Sequence, residues 1–298
     1  MKQLPSLKQL EYLLTLSETL NFARAAQQCF VTPSTLSAGI KELETTLGVT
    51  LAERNNRQVI MTPVGELIAA KARALLRDAG ELVDLAVAHQ TPLTGEVRLG
   101  VIPTVSPFLM PRVLPEIIAA FPALQPSLVE QQTHRLLEQV RSGDLDVAIV
   151  ALPCDMTQLT AQALFTDAFY VACHDSHALA ARKTIDLTQL ADEPLLLLEE
   201  GHCLREHALA ACALEQTRMR SAFAASSLNT LVHMVAVNRG VTLLPKLAVD
   251  GHITDGLPIT LLRARPEVAR EIGMVWRTAA WRSEHYAQLA AVIGNAAG

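Results

Sequence analysis

The chain has no basic excess. Its 298 residues carry 25 Lys and Arg against 30 Asp and Glu, a formal net charge of -5 at pH 7. A protein that gripped nucleic acid over much of its surface would have the opposite balance, so any phosphate-binding surface must be local. A membrane span is also missing. Half of the residues are apolar, yet no apolar run approaches the roughly 20 residues that a bilayer crossing needs. Pro5 and Glu11 interrupt the opening stretch MKQLPSLKQLEYLLTL, where a signal peptide would be continuously apolar. A cytoplasmic protein without membrane attachment is expected. Cysteine is scarce, with five residues at 29, 154, 173, 203 and 212. In a compartment that keeps thiols reduced they form no disulfide framework, and any disulfide would be transient. There is no internal repeat, no low-complexity segment and no dinucleotide-binding glycine fingerprint, and no cofactor is implied.

What is present has the size for two or three globular units. Leu7, Leu10, Leu13, Leu14 and Leu16 recur at helical spacing. Asn21 can cap a short helix over residues 23–28, and Phe30-Val31 form a tight link to Thr32-Pro33, an N-cap followed by a favoured first helical residue. The helix that starts there sets Leu36, Ile40, Leu43 and Leu47 on one face and stops at Gly48. Its other faces offer Ser34, Thr35, Ser37 and Lys41. The stretch LAERNNRQVIMTP then alternates about Asn55-Asn56 as a strand-turn-strand wing with Arg54 and Arg57 at its tip. Thr62-Pro63 opens a long helix to about Gln90, with Leu67, Ile68, Ala72, Leu75, Ala79, Leu82 and Ala86 three or four apart. A lone helix of about 40 Å needs a partner, and the same helix of a second copy would make the protein at least a dimer.

Beyond Thr91-Pro92 the pattern becomes α/β, with strands expected at GEVRLGVI, SLVEQQ and DLDVAIVAL in a parallel sheet. A second set follows: FYVAC, PLLLLE, a helix holding Cys203 and Cys212, RSAFAA, a helix capped by Ser226 or Ser227 and closed by Gly240, and VTLLP. The strand EIGMVWR and a helix from Ser283 return to the first lobe.

A helix, tight turn, capped helix and basic wing is the arrangement that seats a second helix in the major groove while the wing meets phosphates. Ser34, Thr35 and Ser37 can hydrogen-bond base edges or phosphates, Lys41, Arg54 and Arg57 can neutralise phosphates, and the Thr32-Pro33 helix start adds its positive end. Residues 1–63 hold six Lys or Arg against five Asp or Glu, so charge alone gives little support, and a helical bundle with a solvated polar face fits the periodicity too. The run NFARAAQQCFVTPSTLSAGIKELETTLGVTLAERNNRQVIMTPVGE resembles the winged helix-turn-helix of LysR-type transcription regulators nearly residue for residue. That resemblance implies an all-α winged helix-turn-helix over residues 1–63 and a linker helix over 64–91. It further implies a two-lobed α/β regulatory domain like a periplasmic binding protein over 92–298, with lobe I as 92–164 and 269–298 and lobe II as 165–268. It also implies homodimers that pair into homotetramers on promoter DNA and an encounter with RNA polymerase. Cys29 falls where the family has a buried aliphatic residue and reads as core.

Gly201, His202, Cys203, Leu204, Arg205 and Glu206, followed by Cys212 nine residues after Cys203, are similar to the redox segment of the family's hydrogen peroxide-sensing members. GVIPTVSPFLMP around Thr104 and EQQTHRLL around Thr133 and His134 are similar as well. The resemblance implies that Cys203 attacks peroxide, that Cys212 resolves the product, and that Thr104, Thr133, His202 and Arg205 assist. The chemistry asks for a thiolate. A helix start, Arg205 and His202 would favour one, whereas Glu199 and Glu200 oppose it. Oxidised Cys203 would be a sulfenic acid that a second thiol traps as a disulfide. Nine residues of helix rise about 13.5 Å, but a disulfide needs Cα atoms within about 7 Å. The bond therefore requires refolding, a two-state element able to reposition the DNA-binding heads, and the resemblance implies that this activates antioxidant genes. Glutaredoxin or thioredoxin would be suitable reductants in a cytoplasm. His207 stands where these relatives carry an amide, and Cys154 and Cys173 read as structural. Zinc suits the spacing of His202, Cys203, His207 and Cys212 poorly. Two rival readings are a metabolite-responsive regulator with its ligand near Ser226, Ser227 and Thr230, and a thiol peroxidase.

Overall fold

The computed structural model describes residues 4–55, 58–88, 93–211 and 224–297, and the chain divides into two compact units at Gln90/Thr91. In the first unit α1 (Leu7–Thr19), α2 (Phe22–Gln28) and α3 (Pro33–Leu47) precede a hairpin of β1 (Ala52–Asn55) and β2 (Gln58–Met61) and the long α4 (Pro63–Ala88). Each helix start has a local cause. Ser6 and Gln9 form a reciprocal capping box on α1, Asn21 accepts from the Ala23 and Arg24 amides, and Thr32 accepts from the Thr35 amide with Pro33 in the first turn. The helix α3 ends on Gly48 at φ +71°, a conformation that costs glycine least. Leu13, Leu16, Leu36, Leu43 and Leu51 are fully buried between these elements, and Cys29 lies in the same core. The hairpin register pairs Asn55 with Gln58, one residue on from the expected Asn55-Asn56 centre.

The second unit contains β3 (Gly95–Val101), α5 (Ser106–Ala120), β4 (Leu124–Glu130), α6 (Thr133–Ser142), β5 (Val147–Leu152), β6 (Leu159–His174), β7 (Thr184–Ile185), β8 (Leu197–Leu198) and α7 (Cys203–Ala211). It continues with β9 (Ala224–Ala225), α8 (Leu228–Ala236), β10 (Thr242–Pro245), α9 (Lys246–Asp250), β11 (Ile259–Ala264), β12 (Ala269–Arg277) and α10 (Ser283–Ala297). Two cores make two lobes. Val101, Leu109, Val113, Leu136, Ile149, Ile272 and Ile293 belong to one; Val171, Leu190, Leu196, Val232, Leu244 and Leu262 belong to the other.

The sheet is mixed, not parallel as the sequence suggested. β3 pairs in parallel with β4 and β5, but β12 runs antiparallel to both β5 and β6 because the chain re-enters lobe I from the far side. The strand expected at FYVAC is the end of β6, sixteen residues long. Its first part pairs with β12, and its last part pairs with β10 and β11 in lobe II. One strand thus serves both lobes. The helix expected to close at Gly240 stops at Ala236, since Asn238 takes a left-handed conformation that asparagine tolerates.

Candidate functional site

In the first unit, Thr32, Pro33, Ser34, Thr35 and Lys41 are exposed and Ser37 is half-buried. The Thr32 hydroxyl lies 2.8 Å from the hydroxyls of both Ser34 and Thr35 while it caps α3, so the polar end of this helix is internally organised. Glu44 accepts from the Leu51 and Ala52 amides at 2.7 and 3.3 Å, which ties the end of α3 to the base of the hairpin. Arg54 belongs to β1, opposite Val59; Arg57 lies outside the described residues. Phe30, expected only as part of the tight link before Thr32, is 96% exposed in the α2–α3 turn at φ +55°.

In the second unit Cys203 is the first residue of α7 and is half-buried, packed against the lobe I core although α7 otherwise belongs to lobe II. The turn before it depends on Gly201, at φ +91°: a Cβ there would stand 2.6 Å from the Gln132 side-chain oxygen. Gln132 is the residue before Thr133, so the start of α6 in lobe I abuts the start of α7. The Thr133 hydroxyl oxygen is buried and has no hydrogen-bond partner. Thr104 is buried, and its hydroxyl accepts from Arg270 at 2.8 Å, which leaves the hydroxyl proton for a further acceptor.

His202 is buried, and burial pushes its pKa below the usual histidine value against an opposing effect from Glu199. It is therefore mostly neutral at pH 7 and supplies hydrogen bonding, not positive charge. Arg205 turns back to donate to the Leu198 carbonyl at 3.2 Å, and its Nε is buried without a partner. The ring of His207 faces the Leu152 and Cys203 carbonyls, and burial followed by the Arg270 charge holds its pKa down. Its Nδ1 finds no well-formed hydrogen bond. Cys212 lies outside the described residues.

A buried ion pair escaped the sequence reading. Arg270 donates to Asp167 at 3.0 and 3.1 Å, Asp167 also accepts from the Leu247 amide at 2.9 Å, and neither charged side chain is more than 1% exposed. With Thr104 they form a network that joins the lobe I loop before α5, β6, β12 and the start of α9. Only the strand pattern EIGMVWR, which places Arg270 immediately before it, hinted at this position.

Residues 7–66 match the bacterial regulatory helix-turn-helix protein, lysR family, and residues 90–298 match the LysR substrate binding domain. The chain is 46% identical over 255 residues to the HTH-type transcriptional regulator EstR of Acinetobacter baylyi, covering 85% of this chain and 84% of that protein. It is 39% identical over 288 residues to the DNA-binding transcriptional dual regulator OxyR of Escherichia coli, covering 97% and 94%. Among solved structures, a full-length OxyR variant from Pseudomonas aeruginosa superposes with a TM-score of 0.80 at 36% identity, over 98% of this chain and 95% of that one. A hydrogen peroxide-bound OxyR mutant from Corynebacterium glutamicum gives 0.67 at 32% identity, over 99% and 94%. The chain belongs to the LysR family of DNA-binding transcriptional regulators, and its likeness over nearly the whole length runs to members named OxyR.

Proposed function

We propose that this regulator senses hydrogen peroxide through Cys203 and Cys212 and converts their oxidation into a change of promoter contacts that activates antioxidant genes. The observation that carries the reading is the start of α7. There Cys203 stands at the end of a helix whose unpaired N–H groups attract an anion, across the lobe boundary from a buried Thr133 hydroxyl that has no partner. An unsatisfied buried hydroxyl suits a small polar ligand such as peroxide.

In the proposed reaction the Cys203 thiolate attacks one peroxide oxygen and the O–O bond breaks. Hydroxide leaves and is protonated to water, and Cys203 becomes a sulfenic acid. Thr133 and Thr104 hydrogen-bond the peroxide oxygens, His202 assists as a neutral ring, and Arg205 holds the helix start to β8. The Cys212 thiol then attacks the sulfenic sulfur, and a disulfide forms with loss of a second water. While α7 is wound from Cys203 to Ala211, its ends are about 12 Å apart. Cys212 is tethered within about 3.8 Å of Ala211, and a disulfide needs about 7 Å or less. The helix must unwind for this bond to form.

On the DNA side, Thr32, Pro33, Ser34, Thr35, Ser37 and Lys41 meet the major groove, and Arg54 and Arg57 meet flanking phosphates. Leu67, Leu75 and Leu82 are exposed along one stripe of α4, which supports pairing with a second copy and assembly of dimers into tetramers. RNA polymerase is the target of activation, and glutaredoxin or thioredoxin resets the thiols.

Peroxide titration, disulfide mapping and promoter footprinting on one sample test the proposal. A Cys203–Cys212 bond that accompanies altered footprints, and that Cys203→Ser abolishes, is the expected result. No such bond, or a bond that leaves the footprint unchanged, overturns it. Footprints that ignore peroxide and move with a small molecule held near Ser226, Ser227 and Thr230 would put a metabolite-responsive regulator in its place, and sustained turnover of peroxide with a thiol reductant would put a peroxidase there.

A further inference from the structure

Cys154 reads as structural in the sequence, yet it is only half-buried and stands in the irregular stretch between β5 and β6. Its side chain packs against the lobe I core, the same core against which Cys203 packs from lobe II. A second contact brings the two segments together: the His207 ring, one turn into α7, faces the carbonyl of Leu152, two residues before Cys154. The thiols are near enough for the charge of one to act on the other. Burial pushes the Cys154 thiol up, with Arg141 pulling the other way, so Cys154 is a poor attacker on free peroxide and persists as a thiol, and what favours its attack on Cys203 is proximity, not thiolate character.

We infer that Cys154 is a second resolving thiol, which, packed against the same lobe I core as Cys203 and brought beside α7 at the His207–Leu152 contact, can capture the Cys203 sulfenic acid while α7 stays wound. The inference rests on the peroxide reading above for the first oxidation. In the capture, the Cys154 sulfur attacks the sulfenic sulfur, the S–OH bond breaks and the S–S bond forms. The hydroxide leaves as water with the thiol proton. Both thiols are then oxidised to one disulfide at the expense of a single peroxide. Such a bond ties α7 of lobe II to lobe I and preserves the reduced arrangement of the helix, whereas the bond to Cys212 destroys it. The first product is silent at the promoter, and the second signals. The ratio of the two resolving rates would set how much peroxide is needed before DNA contacts change.

The full-length Cys212→Ser variant isolates the new route. Diamide, which couples neighbouring thiols without a sulfenic acid, and hydrogen peroxide are applied separately, followed by peptide mapping without reduction and promoter footprinting. Both oxidants should give a Cys154–Cys203 peptide with an unchanged footprint, and the Cys154→Ser/Cys212→Ser double variant should give none. In Cys154→Ser alone, the yield of the Cys203–Cys212 bond per peroxide should rise about twofold if the two thiols compete evenly. A Cys203–Cys212 bond in the parent with no Cys154–Cys203 link under either oxidant, in a Cys212→Ser variant that keeps parental circular dichroism and DNA affinity, overturns this inference alone. A link formed by diamide but not by peroxide overturns the capture if the peroxide-treated parent still forms Cys203–Cys212, and overturns the peroxide reading itself if the parent forms neither bond.

Discussion

In the DNA-binding unit, the side chains that open the helices are all employed, while around the start of α7 they are not. Ser6, Asn21, Thr32 and Thr62 each accept from a backbone amide one to three residues into the helix that follows. Four buried side-chain polar atoms lack partners among the described residues, and three of them, on Thr133, Arg205 and His207, lie at the start of α6 or on α7. Buried polar groups are normally satisfied, and each exception costs free energy. The difference separates two kinds of working part. A reading head is useful when its shape is fixed, so local capping completes it. A switch is useful when one arrangement is left short of satisfaction, so that a ligand or a refolding can relieve it.

The two units differ most in what their ion pairs are worth. Asp167→Ala leaves the Arg270 charge buried without its partner, which should cost the sensor about 3–5 kcal/mol. Glu18→Ala removes one partner of Arg73 at a site where the Glu18 and Arg73 side chains are 52% and 35% exposed, which should cost the head under about 1 kcal/mol. Urea unfolding of the two variants, followed by a probe in each unit, measures both. Similar small losses would mean that the Arg270 network does not hold the lobes and that the sensor is no more finely balanced than the head.

The same contrast explains what could be read in advance. Thr32-Pro33, the apolar face through Leu36, Ile40 and Leu43, and Gly48 were legible because capping, packing periodicity and the left-handed stop are all written within seventeen consecutive residues. The helix start at Cys203 was legible from Gly201, two residues before it. The pairing of Arg270 with Asp167 and with Thr104 was not, although Thr104 itself stood out by resemblance, because these partners are 103 and 166 residues apart in sequence and meet only when β6 and β12 align. The full length of β6 has no single sequence signature because its exposure pattern changes along the strand, alternating where one face meets solvent and continuously buried near its end. Strand direction in the sheet depends on where the chain re-enters lobe I, and no local pattern records that.

A matched pair of substitutions separates a hydroxyl that caps a helix from one that has no partner. Thr32→Val deletes a hydroxyl that caps α3 and should destabilise the head by about 1 kcal/mol, with weaker promoter binding. Thr133→Val deletes a buried hydroxyl without a partner and should leave stability unchanged or slightly raised, since an apolar group of similar shape removes an unmet polar demand. Its effect should fall on chemistry. If the hydroxyl supports the leaving oxygen, oxidation of Cys203 by peroxide should slow about tenfold, the equivalent of one hydrogen bond of about 1.4 kcal/mol. Stopped-flow oxidation of each variant beside its unfolding curve gives the answer. A destabilised Thr133→Val that oxidises at the parental rate would show that the hydroxyl is structural.

The smallest effect expected is one of pH. Burial lowers the pKa of both His202 and His207 in the folded sensor, so the unfolded chain binds protons more readily than the folded one as the solution is acidified. The stability that this difference contributes is fully present above the unfolded histidine value of about 6.5 and is lost as pH falls through it toward the lower folded values. The described residues of the head contain no histidine, and the carboxylates lowered by hydrogen bonds, Asp155 and Asp186, act only well below this window. Acidification from pH 7.5 to 5.5 should therefore loosen the sensor around α7 and leave α1 to α3 untouched. Hydrogen exchange, corrected for its intrinsic dependence on pH, resolves the two units within one molecule. Equal loosening of both would mean that the buried histidines do not set the balance of the switch, and His202→Asn should abolish part of the difference if they do.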